Sequence, residues 1–189
     1  DGVPNPPHAG FFFIVSLSSP STGASLGSPA NASVHIVDAE SYNQPSGSPD
    51  VAFSSSAGMN DSVLALALQS GGQIVAGGNF TIANGTGMNR IARLNTDGSL
   101  DTGFLDGFAG ANGTVNAVLS QQADDRILIG GAFSSVDGIT RHRVARLMTD
   151  GSLDTSFNPG SGADNTVFSL AKTYVNGSRV IYLGGAFST

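Results

Sequence analysis

The 189-residue chain contains no cysteine and no tryptophan, and it has one glutamate (Glu40) and one lysine (Lys172). Without cysteine there is no disulfide framework and no thiolate to act as nucleophile or ligand. Charged residues make up 12% of the sequence, against roughly 25% in an average domain. Long helices are not expected, because Glu and Lys are nearly missing and no long stretch carries a 3.6-residue apolar period. The net charge is −6 with no cluster of Lys or Arg, which disfavours nucleic acid and anionic membrane surfaces as partners. The apolar run Phe11-Phe12-Phe13-Ile14-Val15 is far too short to span a bilayer. HExxH does not occur, and His8, His35 and His142 are scattered, so no zinc chemistry is indicated. The expectation is a non-enzyme without a cofactor.

What the chain has in quantity is glycine, 26 residues, together with Ser, Thr and Asn. That mixture suits short strands joined by tight turns. It also has a repeat. "SPDVAF" (48–53) returns as "SLDTGF" (99–104) and "SLDTSF" (152–157). "NDSVLALAL" (60–68) returns as "NGTVNAVLS" (112–120) and "DNTVFSLAK" (164–172). "QIVAGGNFT" (73–81) returns as "RILIGGAFS" (126–134) and "VIYLGGAFS" (180–188). "RIARLNTDG" (90–98) recurs once, as "RVARLMTDG" (143–151). Val63, Val115 and Val167 lie 52 residues apart.

Each unit of about 50 residues reads as three strands, Val63–Leu68, Gln73–Gly77 and Arg90–Asn95 in the first copy, with a short fourth expected around Phe104. The first strand is apolar on both faces, which predicts a sheet covered on both sides by copies of itself. A period near 50 with about four strands per unit is the pattern of propeller blades. Phe80, Phe133 and Phe187, two residues after each double glycine, are expected to plug the gap between neighbouring sheets. The fold class expected is all-β: a propeller-like array of about three incomplete 50-residue blades, preceded by two strands of a β-sandwich.

The motifs "GGNFT/GGAFS", "RIARLNTDGSLDTGF" and "NGTVNAVLSQQADDRILIGG" resemble the delta-60 repeat family over residues 47–189. That family is a bacterial, β-propeller-like repeat of unassigned function. The resemblance implies blades in large exported proteins and no known activity. "FIVSLSSPSTGASLGSPANASVHIVDAE" resembles the C-terminal end of a Calx-beta domain, over residues 11–40. That likeness implies a sandwich end where acidic residues often bind calcium, and it makes Asp38 and Glu40 the candidate ligands. The domains expected are 1–40 (sandwich end), 41–49 (linker, "SYNQPSGSP") and 50–189 (repeats, with units near 47–97, 98–150 and 151–189).

Three further groups stand out. Asp97-Gly98-Ser99-Leu100-Asp101 and its copy at 150–154 read either as hairpin turns or as acidic calcium loops. Arg93 and Arg146 sit inside apolar strands, and a buried guanidinium needs a partner. Asp101 and Asp154 recur with them at constant spacing, so two structural ion pairs, Arg93–Asp101 and Arg146–Asp154, are expected. Asn31, Asn60, Asn79, Asn84, Asn112 and Asn176 each begin an Asn-x-Ser/Thr sequon, which is either turn chemistry or a candidate N-glycosylation site.

Fewer than three full repeats are present, whereas a closed propeller usually has at least four blades. The chain is therefore expected to be a segment of a longer protein, or to be completed by neighbouring chains through open strand edges. The leading functional expectation is a structural or adhesive extracellular surface protein, including a filament subunit. A carbohydrate- or ligand-binding propeller module is the alternative. The partners expected are other copies, adjoining domains and glycans.

Overall fold

The computed structural model describes residues 11–16, 31–36, 53, 58–121 and 124–188, in two compact units, Asp1–Val51 and Ala52–Thr189. In the first unit, β1 (Phe11–Ser16) pairs antiparallel with β2 (Asn31–Ile36), with Phe11 opposite Ile36. Asp38, Glu40 and the expected linker 41–49 lie outside the described residues.

The second unit is a series of small antiparallel sheets. The first contains β3 (Val63–Leu68) and β4 (Ile74–Gly78); a short hairpin of β5 (Ile82–Ala83) and β6 (Thr86–Gly87) follows, and β7 (Ile91–Leu94) completes the sheet in the order β3-β4-β7. The next copy repeats this with β8 (Val115–Gln121), β9 (Arg126–Gly131), the hairpin β10 (Ser135–Val136) and β11 (Ile139–Thr140), and β12 (Val144–Leu147). The third copy has β13 (Val167–Val175) paired with β14 (Ser178–Gly185). Two-residue turns with positive φ at both positions close three hairpins: Asn84-Gly85 (47°, 80°), Asp137-Gly138 (50°, 74°) and Asn176-Gly177 (49°, 77°). This turn follows the right-handed twist of its flanking strands, and Asn, Asp and Gly tolerate it best.

The double glycine serves two separate packing needs. Each first strand begins with a bulge, between Val63 and Ala65, Val115 and Ala117, and Val167 and Ser169. The bulge turns the carbonyls of Ser62, Thr114 and Thr166 toward the amides of Asn79, Ala132 and Ala186, at 2.8, 2.8 and 2.9 Å. A Cβ on the second glycine (Gly78, Gly131 or Gly185) would collide with that carbonyl. The first glycine faces the neighbouring sheet instead. A Cβ on Gly77 would lie 2.6 Å from Val118 and 2.7 Å from Val115; one on Gly130 would lie 2.7 Å from Val167 and 3.3 Å from Leu170. Adjacent sheets therefore approach closely at these two points. Phe80 and Phe133 are fully buried in the core around them, and Phe187 is partly buried against Val144 and Val167.

Two expectations need correction. There is no strand around Phe104: residues 102–107 form turns. Pairing beyond β7 and β12 is a single bridge each, Leu94 with Leu100 and Leu147 with Leu153, after which the chain turns away at Asp101 and Asp154. Nor is the first strand always covered on both faces. In β8, Val115 and Ala117 are buried. In β3, Leu64, Leu66 and Leu68 are 51%, 64% and 64% exposed. The strand is built to be covered, but among the described residues only the second copy has a sheet on each side.

If the first glycine is fixed by the neighbouring sheet, Gly130→Ala should cost about 1–3 kcal/mol through overpacking and lower the urea midpoint. Gly184→Ala should cost much less, because its new Cβ meets only the side chain of Ser169. Equal losses in the two urea titrations would remove this explanation.

Candidate functional site

β7 places Arg93 opposite Val75, on the face of the first sheet that also carries Gly77. The side chain is only 13% exposed. Its Nε donates to Asp101 Oδ2 at 2.8 Å, and Nη2 lies 2.7 Å from the same oxygen. Asp101 Oδ1 accepts the Gly103 amide at 3.0 Å. The guanidinium carbon lies 4.7 Å from the centroid of the Phe104 ring, within reach of a cation–π contact. The next copy repeats the arrangement: Arg146 Nε donates to Asp154 Oδ2 at 2.8 Å, and the guanidinium lies 4.9 Å from the Phe157 centroid. Asp154 Oδ1 accepts from Ser156 N and Oγ at 2.9 and 2.6 Å. Burial pushes the Asp154 carboxyl up, but the bonds from Ser156 and Arg146 more than offset this and hold it below its ordinary 3.8.

The Asp-Gly-Ser stretch leading into this cluster is a hairpin. Gly98 N donates to Asn95 O, and Asn95 N to Ser99 O, at 3.0 and 2.8 Å. Gly98 takes φ +84°, as a three-residue hairpin loop with a left-handed last residue requires. Asp97 Oδ1 accepts from Ser99 N and Oγ at 2.9 and 2.6 Å, and Asp150 does the same with Ser152. The serine bonds hold both carboxyls below their ordinary range. Asp97 and Asp101 thus serve different partners, and among the described residues no three His, Asp or Glu side chains cluster as a metal site would need.

The first and second copies meet around a cleft of about 360 Å³ whose lining includes Gln69, Arg93, Asp101, Asp125, Thr149 and Asp150. Arg93 Nη1 crosses it to donate to Thr149 O at 2.5 Å. Gln69 Nε2 donates to Asp125 O at 2.9 Å, while Ser70 Oγ and N donate to the Asp125 carboxylate at 2.5 and 3.2 Å. These serine bonds lower the Asp125 pKa. The cleft presents one guanidinium and three carboxylates, each already engaged. Such a lining suits a hydroxyl-rich molecule better than an apolar one.

Most of the sequon asparagines have local work. Asn60 Oδ1 accepts from Thr81 N and Ile82 N at 2.8 and 2.9 Å, and its Nδ2 donates to Thr81 Oγ1 at 3.0 Å. Asn112 holds Ser134 and Ser135 in the same way. The third copy has Asp164 at this place, clamping Ser188 at 2.9 and 2.6 Å. Asn79 Nδ2 donates to Asp61, and its Oδ1 accepts from Arg90 Nη1 at 2.6 Å and Thr114 Oγ1 at 3.1 Å. Asn84 Oδ1 accepts the Gly58 amide at 3.0 Å. Asn31 is the first residue of β2. Asn176 is exposed at the tip of the β13–β14 turn, with no side-chain hydrogen bond among the described residues.

Sequence reasoning did not single out the clamp shared by Asn60, Asn112 and Asp164, although its 52-residue spacing was visible. It also missed Arg90 and Arg143, which both take φ +69°. Their Nη1 atoms donate to the Asn79 and Ala132 carbonyls respectively.

Together, the sheets and their regular polar clusters define an all-β, propeller-like repeat. A family model described as "Domain of unknown function (DUF5122) beta-propeller" matches residues 69–104 and 122–157. Each match runs from the region where the first strand ends to Phe104 or Phe157, so it contains the Arg–Asp–Phe cluster. No curated protein and no solved structure matches the chain.

Replacing one partner of a largely buried ion pair leaves the other charge uncompensated, at about 3–5 kcal/mol. Asp154→Asn should lose stability of this order, and Asp101→Asn less, because Asp101 is 19% exposed and Asp154 4%. The folded pKa of Asp154 lies below 3.8, so its contribution is present above that pH and lost as pH falls through the folded value. Urea midpoints measured from pH 7 down to pH 2 should therefore show a shallower acid loss for Asp154→Asn than for the parent.

Proposed function

We propose that the chain is a structural or adhesive module of an extracellular surface protein, with its propeller-like repeats serving as a rigid spacer. The observation that carries this reading is the use made of the recurring polar residues. Arg93, Asp101, Arg146 and Asp154, the two Asp-Gly-Ser turns and the Asn60/Asn112/Asp164 clamp are all engaged in shaping or joining sheets. Residues repeated for chemistry would need to turn free groups toward a substrate. The low content of charged residues and the likeness of residues 11–40 to a Calx-beta sandwich end support a surface setting, and that likeness leaves Asp38 and Glu40 as the calcium candidates. The 360 Å³ cleft beside Arg93 supports a second reading, a carbohydrate-binding module that takes a hydroxyl-rich ligand there.

Antibody against the chain should label intact producing cells, and external protease should remove the signal. Labelling only after lysis would end the surface reading. A glycan array probed with the parent chain and with Asp125→Ala would separate the two readings: retention lost in the variant favours the carbohydrate module.

If the protein meets a glycosylation system, Asn176 is the acceptor best placed to carry sugar, since it is exposed and its amide makes no hydrogen bond among the described residues. Intact mass should then fall by one whole glycan in Asn176→Gln. It should not change in Asn112→Gln, whose amide is held by Ser134.

A further inference from the structure

At the tips of their small hairpins, the first and second copies differ by a single side-chain atom. Asn84 opens the β5–β6 turn and Asp137 opens the β10–β11 turn. The backbones match: φ is 47° at Asn84 and 50° at Asp137, followed by Gly85 at 80° and Gly138 at 74°. The partners match as well. Asn84 N donates to Gly58 O at 2.8 Å, and Gly58 N to Asn84 Oδ1 at 3.0 Å. Asp137 N donates to Gly110 O at 2.9 Å, and Gly110 N to Asp137 Oδ1 at 2.9 Å. The difference lies at the second side-chain atom. Asp137 Oδ2 accepts the Leu153 amide at 3.0 Å. Leu100 is the first-copy counterpart of Leu153, since it bridges to Leu94 as Leu153 bridges to Leu147. Among the described residues the Leu100 amide makes no such bond. Asn84 carries an NH2 donor where Asp137 carries an accepting oxygen.

The residue after Asn84 is a glycine, which places no side chain beside the preceding amide. The Gly85 amide makes no hydrogen bond among the described residues, and a Cβ on Gly85 would meet nothing within 4 Å. The hairpin has two residues in each strand, so local opening costs little and lets the Asn84 side chain turn toward Gly85. The Gly85 nitrogen then attacks Asn84 Cγ. The new bond closes a five-membered succinimide, the Gly85 proton passes to solvent, and the Cγ–Nδ2 bond breaks as ammonia leaves. Water opens the ring at one of its two carbonyls. Cleavage at the side-chain carbonyl restores the main chain and leaves aspartate. Cleavage at the backbone carbonyl leaves isoaspartate, whose main chain runs through Cγ. In sum, one amide and one water become one carboxylate and one ammonium ion.

We propose that Asn84 is a site of spontaneous modification: it deamidates to aspartate and so gives the first copy the hydrogen bond that the second already has. The fold selects between the two products. Isoaspartate adds an atom to the main chain, and a two-residue turn does not tolerate the extra length. Aspartate fits, because Asp137 occupies the same seat. Burial pushes the Asp137 carboxyl up, and the amides of Gly110, Leu153 and Ala109 work against that rise, so the seat is lined by donors suited to a carboxylate. Isoaspartate can close again to the succinimide, which lets the folded chain drain toward aspartate. Asn112-Gly113 is the internal contrast. Its side chain is held by three bonds to Ser134 and Ser135, and a Cβ on Gly113 would lie 2.8 Å from Phe133 Cα. Asn84 also begins a sequon, and the nitrogen that leaves is the one a glycan would occupy. The two modifications therefore exclude each other there.

The test incubates the full 189-residue chain in heavy-oxygen water at mildly alkaline pH, once folded and once in urea. Peptide mapping by mass spectrometry follows each asparagine, and enzymatic methylation of isoaspartate separates the two products. In the folded chain, Asn84 should convert at least tenfold faster than Asn112 and take up one heavy oxygen, with aspartate the main product. In urea the two sites should react at similar rates, and isoaspartate should dominate at both. Nuclear magnetic resonance of the Asn84→Asp variant should show slower exchange of the Leu100 amide than in the parent, as the bond to the new oxygen requires. A folded chain that keeps Asn84 intact, or converts it no faster than Asn112, would overturn the proposal. So would an isoaspartate share at Asn84 equal to that in urea, or a Leu100 amide that exchanges as fast in the variant as in the parent.

Discussion

Everything in the repeat unit depends on how closely two sheets can approach at one glycine. At Gly77 and Gly130 the neighbouring valine occupies the space in which a side chain would begin. Close packing gives dispersion contact between sheets that are too small to form a core alone. It also explains why the surrounding positions are apolar while the glycine itself carries no side chain. The second glycine is tied to the first by the bulge, which brings a backbone carbonyl against it. One glycine sets the distance between sheets, and its neighbour allows the strand to bend there.

The Arg–Asp–Phe cluster solves the problem that such close sheets create. Their third strands end abruptly, and the connection to the next copy must begin within a few residues. Arg93 and Arg146 are held on one side by a carboxylate and stack over an aromatic ring on the other. The same carboxylate accepts the backbone amide two residues on, so it fixes both the cation and the turn that brings the ring under it. The first-copy arginine reaches further, to the Thr149 carbonyl of the next copy. Local turn and inter-sheet register are thus set by one side chain.

Much of this was legible in sequence because it is local and repeated. An arginine in an apolar strand, followed eight residues later by an aspartate in both copies, has a short list of physical explanations. The double glycine after an apolar run likewise marks a place of close approach. Inter-sheet bonds were not legible. Gln69 with Asp125 and Arg93 with Thr149 join residues 56 apart, and no periodicity announces them. The fourth strand was misplaced because Phe104 looks like a strand residue by composition, although its burial comes from lying under Arg93 in a turn. The exposure of Leu66 and Leu68 was invisible for a different reason: their strand has the same apolar pattern as its covered equivalents, and burial depends on what stands beside it.

Where the copies differ is as informative as where they agree. The first strand grows from six residues in β3 to seven in β8 and nine in β13, and its partner from five to six to eight. The lengthening is confined to the hairpin end of the sheet, away from the bulge and the double glycine. Positions at the bulge end keep their geometry even when the residue changes, as Asp164 does in the place of Asn60 and Asn112. Close approach at the glycine constrains the bulge end of each sheet, whereas the hairpin end varies in length and is joined to its neighbour by side-chain hydrogen bonds such as Ser70 to Asp125 and Lys172 to Ser120. In the third copy, the hairpin end exposes Tyr174 and Val175 and carries Asn176 at its tip. Repetition therefore marks what the architecture requires. The features particular to this chain lie in the unrepeated hairpin ends and in the exposed faces of its first and last sheets.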